Sequence, residues 1–94
     1  MSIRSKFLAK WGENLMRNHD SELALNMFDR AIKADPKELK AYLGKAGIYV
    51  GKGNTGEAIK ILDQAIAANP EYYPVLYEAK QGIPDYINKS RTNQ

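Results

Sequence analysis

Apolar side chains return every third or fourth position along most of this chain, the spacing of helices that bury one face. Residues 3–17 carry Ile3, Phe7, Leu8, Trp11 and Leu15 in that rhythm, which predicts a first helix with those side chains turned to a core. The short polar run Asn18-His19-Asp20 then favours a turn, and Asp20 or Ser21 suits the cap of a second helix. That helix, residues 21–34, is expected to bury Leu23, Ala24, Met27, Phe28, Ala31 and Ile32 before Asp35-Pro36 stops it. Proline cannot donate the next helical hydrogen bond and pushes the preceding residue out of helical geometry. A third helix is predicted over residues 37–50, with Tyr42, Ala46 and Tyr49 inward, ending in the turn Gly51-Lys52-Gly53. Asn54 with Glu57 three positions later predicts a capping box opening a fourth helix that runs to residue 68 and buries Ala58, Ile61, Leu62, Ala65 and Ile66. Asn69-Pro70 repeats the earlier stop, residues 72–81 form a fifth helix ended by Gly82, and Pro84 opens a short last turn of helix bearing Tyr86 and Ile87.

A period underlies these elements. Pro36 and Pro70 stand 34 residues apart, and Ala24 with Ala58, Ala31 with Ala65 and Ala34 with Ala68 keep the same step. Small, apolar and helix-stopping residues in fixed order at that interval are what stacked helix-turn-helix units require. The chain resembles the tetratricopeptide repeat family, whose signature sets a large residue, leucine, glycine and tyrosine on one helix, then alanine, phenylalanine and proline on the next helix and its exit. Leu8, Trp11, Gly12, Leu15, Ala24, Phe28, Ala31 and Pro36 match in the first unit. Tyr42, Ala46, Tyr49, Ala58, Leu62, Ala65 and Pro70 match in the second, with a departure at Lys45, where an apolar residue is usual. The resemblance implies an all-α fold, a right-handed solenoid of antiparallel helix pairs with about five helices and a short C-terminal turn. It divides residues 1–88 into a repeat at 5–38, a repeat at 39–72 and a capping helix at 73–88, followed by a polar tail at 89–94.

Composition narrows the function. Fourteen basic against eleven acidic side chains give a formal charge of +3, scattered along the chain, which points away from a nucleic-acid surface. Lys6, Lys10, Arg17, Lys37, Lys40, Lys45 and Lys52 read mainly as solubilising charge. There is no cysteine, hence no disulfide framework and no thiolate metal site. Apolar runs are too short to span a bilayer, so a soluble, cytoplasmic protein without membrane contact is expected. The basic, amphipathic start also suits a transit peptide or a membrane-surface helix, but Glu13 and the core-like stripe favour an ordinary helix. Asn88-Lys89-Ser90 spells a glycosylation acceptor that lacks a secretory context.

Gly51-Lys52-Gly53-Asn54-Thr55-Gly56 spells a dinucleotide-binding fingerprint, yet no buried strand precedes it and no second strand follows its helix. Residues 46–53 come near a phosphate-binding loop but hold Gly53 where Ser or Thr would meet magnesium. His19 is the single imidazole and has no nucleophile beside it, which suits a turn residue. Asp29 and Asp63, one period apart, read as solvated charge rather than paired catalytic carboxylates. No enzyme activity, cofactor or metal is expected.

The family resemblance implies a concave groove lined by the first helix of each unit, here Lys6, Ala9 and Glu13, then Lys40, Leu43, Gly44 and Gly47, then Pro74, Tyr77, Glu78 and Gln81. A peptide or protein segment is expected there, anchored near Leu43 and Tyr77. Some relatives in the family grip a C-terminal carboxylate with asparagines, lysines and an arginine; the matching places here hold Ala9, Glu13, Gly44, Pro74 and Glu78, which disfavours that ligand. A second expectation is self-association into a homodimer through Tyr72, Tyr77 and Tyr86.

Overall fold

A computed structural model describes residues 3–83. Five helices follow one another: α1 Ile3–Arg17, α2 Ser21–Ala34, α3 Leu39–Gly51, α4 Thr55–Ala68 and, after a 3-10 turn at Pro70–Tyr72, α5 Tyr73–Gln81. They pack in neighbouring pairs as a helical solenoid, α1 with α2 and α3 with α4, with no strand among the described residues. The turn of helix around Pro84, Tyr86 and Ile87 and the tail at 89–94 lie outside the described residues.

The two pairs close with the same backbone device. In the first, the amide of Asp20 donates to Leu15 O (2.9 Å) and that of His19 to Met16 O (3.0 Å), with His19 at a φ of 65°. One period later Asn54 donates to Tyr49 O (2.8 Å) and Gly53 to Val50 O (3.0 Å), with Gly53 at 79°. This paired closure around one left-handed residue satisfies the last carbonyls of the helix and reverses the chain. The fingerprint-like glycines are therefore the second copy of a turn whose first copy uses a histidine.

Capping follows the sequence only in part. The Glu57 amide donates to Asn54 Oδ1 at 3.2 Å, but the return half of the predicted box is pre-empted, since the Asn54 amide already serves Tyr49 O. Asp20 makes no side-chain cap to α2. Residue 37 is not helical, because its amide donates to Asp35 Oδ1 (3.0 Å) and that of Glu38 to Asp35 O (2.9 Å); this turn delays α3 to Leu39.

Phe28 of α2 is wholly buried between Gly12 of α1 and Gly44 of α3. A Cβ on Gly12 would lie 2.7 Å from the ring, and one on Gly44 would overlap it. Alanines complete the close approach: Ala9, Ala24, Ala31 and Ala41 are buried around Phe28, while Ala46, Ala58 and Ala65 do the same between α3 and α4 with Ile61 and Leu62. Leu23, expected inside, is 41% exposed.

The expected core stripe of α1 is corrected more sharply. Ile3, Phe7 and Trp11 are 88%, 65% and 45% exposed, and the face that packs on α2 and α3 is Ser5, Leu8, Ala9 and Gly12. Hydrophobic size misled the reading. Small residues are what let the neighbouring backbones approach, so they, and not the aromatics, mark the buried side.

Ion pairs join one unit to the next. Lys45 Nζ meets Asp29 Oδ1 at 2.7 Å and Lys80 Nζ meets Asp63 Oδ1 at 2.7 Å. Asp29 and Asp63 are thus bridged rather than simply solvated, and Lys45, the departure from the family pattern, has its ammonium answered across the joint. The aspartates step by 34 residues and the lysines by 35, so α5 presents its side chains one position later than α3. Leu76 accordingly fills the place of buried Ala41, and Val75, one full period after Ala41, is 63% exposed. No α5 Cα comes within 8 Å of α3, although α1 and α3 approach closely.

Candidate functional site

Lys6, Lys10, Glu13, Glu38 and Lys40 line a hollow of about 210 Å3 where α1 meets the start of α3. The period sets this up, because Lys6 and Lys40 are equivalent positions on successive first helices. At its floor Ser5 Oγ donates to Glu38 Oε1 (3.0 Å), and Lys6 Nζ stands 3.7 Å from the same oxygen. Ser5 and Glu38 are both buried, and neither is signalled by the hydrophobic pattern. The hollow therefore presents Lys10, Lys40 and Glu13 around an ion pair that already holds the two helices together.

Along α3 the same face continues through Leu43, 41% exposed, to Gly47, whose missing side chain leaves open space. Leu43 is accessible because α5 stays away from α3; its equivalent in the first unit, Ala9, is buried by α3. Two of the expected lining residues are thereby corrected. Ala9 lies under α3, and Gly44 lies under Phe28, so neither presents a side-chain surface.

On α5 the one-residue step moves the expected anchor. Tyr77 takes the place of Tyr42, on the flank where a helix pair closes, and Glu78 takes the place of Leu43. Tyr77 is half-buried and stacks on Tyr73 with ring centroids 5.6 Å apart and planes 20° from parallel. Glu78, Gln81 and Pro74 are exposed. Tyr72 is exposed beside Glu71 in a second hollow with Lys37, Glu38 and Lys40. Tyr86 lies outside the described residues.

The titratable groups serve structure. Tyr42 donates its hydroxyl to Pro36 O at 2.7 Å, and burial pushes its phenol above the ordinary value. Glu22 and Lys52 pair between units at 2.7 Å; the hydrogen bond, then the ammonium charge, holds the Glu22 carboxyl low, and the same bond raises Lys52. No cluster of three or more metal-ligating side chains occurs among the described residues. No described helix is long and apolar enough to cross a membrane.

The repeated turns, the alanine-lined helix pairs and the 34-residue step meet in one comparison: the family model for the tetratricopeptide repeat matches residues 10–73. The chain belongs to the tetratricopeptide repeat family. Over 70 residues it is 30% identical to the small glutamine-rich tetratricopeptide repeat-containing protein 2 of Saccharomyces cerevisiae, a match that covers 74% of this chain and 20% of that protein. The chain thus spans about a fifth of that relative's length. No solved structure matches it. Tetratricopeptide repeats are in general protein–protein interaction modules, which stack helix pairs to present extended binding surfaces.

Proposed function

We propose that this chain is a noncatalytic interaction module that receives a peptide or protein segment along the face shared by α1 and α3. The observation that carries this reading is the continuity of one accessible strip. It runs from the charged hollow of Lys6, Lys10, Glu13 and Lys40 to Leu43 and the open backbone at Gly47. Leu43 supplies an apolar anchor, Gly47 lets a ligand approach the helix closely, and the lysines and Glu13 set its orientation.

Selection of peptides from a random displayed library tests the reading. Peptides captured by the wild type are expected to lose at least tenfold in affinity on Leu43→Glu and on Gly47→Arg, two substitutions at accessible positions. They are expected to keep their affinity on Gln64→Glu, an exposed position of α4. Peptides that bind all three variants equally would overturn the groove assignment.

A further inference from the structure

The exposed stripe of α1 has an internal counterpart. Stepping 34 residues from Phe7, Lys10, Trp11 and Asn14 reaches Ala41, Gly44, Lys45 and Ile48, the residues by which α3 docks on α1 and α2. Ala41, Gly44 and Ile48 are buried, and Lys45 reaches back to Asp29. Phe7, Lys10, Trp11 and Asn14 together line an apolar dish of about 240 Å3, with the Phe7 and Trp11 ring centroids 6.0 Å apart. α1 thus keeps outward the face that a first helix uses to seat itself on a preceding unit, here built from aromatics instead of alanine and glycine.

Charge says what fits it. Phe7 is flanked at three residues on either side by Arg4 and Lys10, and neither forms an ion pair among the described residues. Two α1 faces set against each other would oppose these cations, which disfavours a symmetric contact. The other end of the molecule has the complementary pattern. Val75 is exposed between Glu71 and Glu78, four residues before and three after it, with Tyr72 and Tyr73 beside it, and neither glutamate is ion-paired among the described residues.

We propose that the α1 face of one copy docks on the α5 end of a second copy, the aromatics and Val75 meeting inside a rim of Arg4 and Lys10 against Glu71 and Glu78. Such a contact joins two different patches, so each copy keeps one unused end and association continues past the dimer unless a ring closes. It shares Lys10 with the charged hollow but uses neither Leu43 nor Gly47.

Sedimentation equilibrium of the full chain over a concentration series is the test, with circular dichroism confirming the fold of each variant. The wild type is expected to show a weight-average mass that climbs beyond twice the monomer. Phe7→Glu and Val75→Lys are each expected to stay monomeric, since each destroys one patch. Mixed, the two are expected to form a capped one-to-one dimer, because each still owns the patch the other lost. A wild type that remains monomeric throughout would overturn the proposal. So would a single variant that dimerises alone, the mark of a symmetric contact, or a mixture that does not associate.

Discussion

Replacing Gly44 by Ala tests the packing that joins the two units. In an open helical position the change stabilises by about 1 kcal/mol, because alanine loses less backbone freedom than glycine. Gly47, one helical turn on, is such a position: nothing lies within 4 Å of an added Cβ. At Gly44 the same carbon would enter the Phe28 ring, which has little room to retreat because its other side faces Gly12, so closely that a Cβ added there would also lie only 2.7 Å from the ring. Overpacking of this kind costs about 1–3 kcal/mol. Gly44→Ala is therefore expected to range from neutral to about 2 kcal/mol destabilising once the propensity gain of about 1 kcal/mol is subtracted. Gly47→Ala is expected to be about 1 kcal/mol more stable than the wild type. Urea unfolding followed by helical circular dichroism should separate the two variants by about 1–3 kcal/mol, on the order of 4–24 °C in Tm for a domain of this size. Phe28→Leu should cost less in the Gly44→Ala background than in the wild type, since the smaller side chain relieves the clash. Equal stability of the two glycine variants would refute the wedge.

Gly53→Ala meets no neighbour but must hold a φ of 79°, so a loss of about 1–2 kcal/mol in denaturant unfolding is expected from backbone strain alone. His19→Gly, at the equivalent turn, should raise Tm in the same assay; a fall would show that the imidazole does more than occupy the turn. Tyr42→Phe removes the hydroxyl donated to Pro36 O and is expected to cost about 0.5–1.5 kcal/mol by calorimetry. Lys52→Met should lower Tm relative to the wild type only within a pH window. Glu22, whose folded value is depressed, contributes fully above its unfolded value of 4.5 and loses that contribution as pH falls through the lower folded one. Lys52, raised when folded, contributes below 10.5 and loses it as pH rises through the higher value. The two Tm curves should converge in strong acid, and a difference that persists there would refute the pairing.

The helix pairs and their turns were legible because their causes are local: Asp35-Pro36 and Asn69-Pro70 stop helices by sterics, and the period aligns the rest. Lys45 looked like a flaw only because its answer, Asp29, lies on another helix at a distance that spacing does not encode. Ser5 and Glu38 are buried yet carry no hydrophobic signal, so their contact appears only once α1 and α3 lie together. Ala9 and Gly44 were expected to line the groove but are buried, because depth depends on how closely the next backbone comes, and small residues invite that approach. α1 misled for the opposite reason, since Ile3, Phe7 and Trp11, three of its large side chains, are turned outward. Comparison of Phe7 with Ala41 across the period held the clue: bulk stands where the second unit keeps a methyl group. Tyr77 falls one residue short of the position equivalent to Leu43 because the third unit advances 35 positions, not 34, between the ion-pairing lysines.

One benzene ring, Phe28, is common property of three helices. Peeling away either α1 or α3 exposes it to water on one side, so partial opening of the first half already forfeits the benefit of the whole wedge. Amide hydrogens across α1, α2 and α3 should accordingly trade for deuterium at one shared rate, as a single cooperative block. α5, which packs on α4 and keeps its backbone away from α3, can detach without uncovering Phe28, leaving the solenoid one end that can rearrange while the other stays intact.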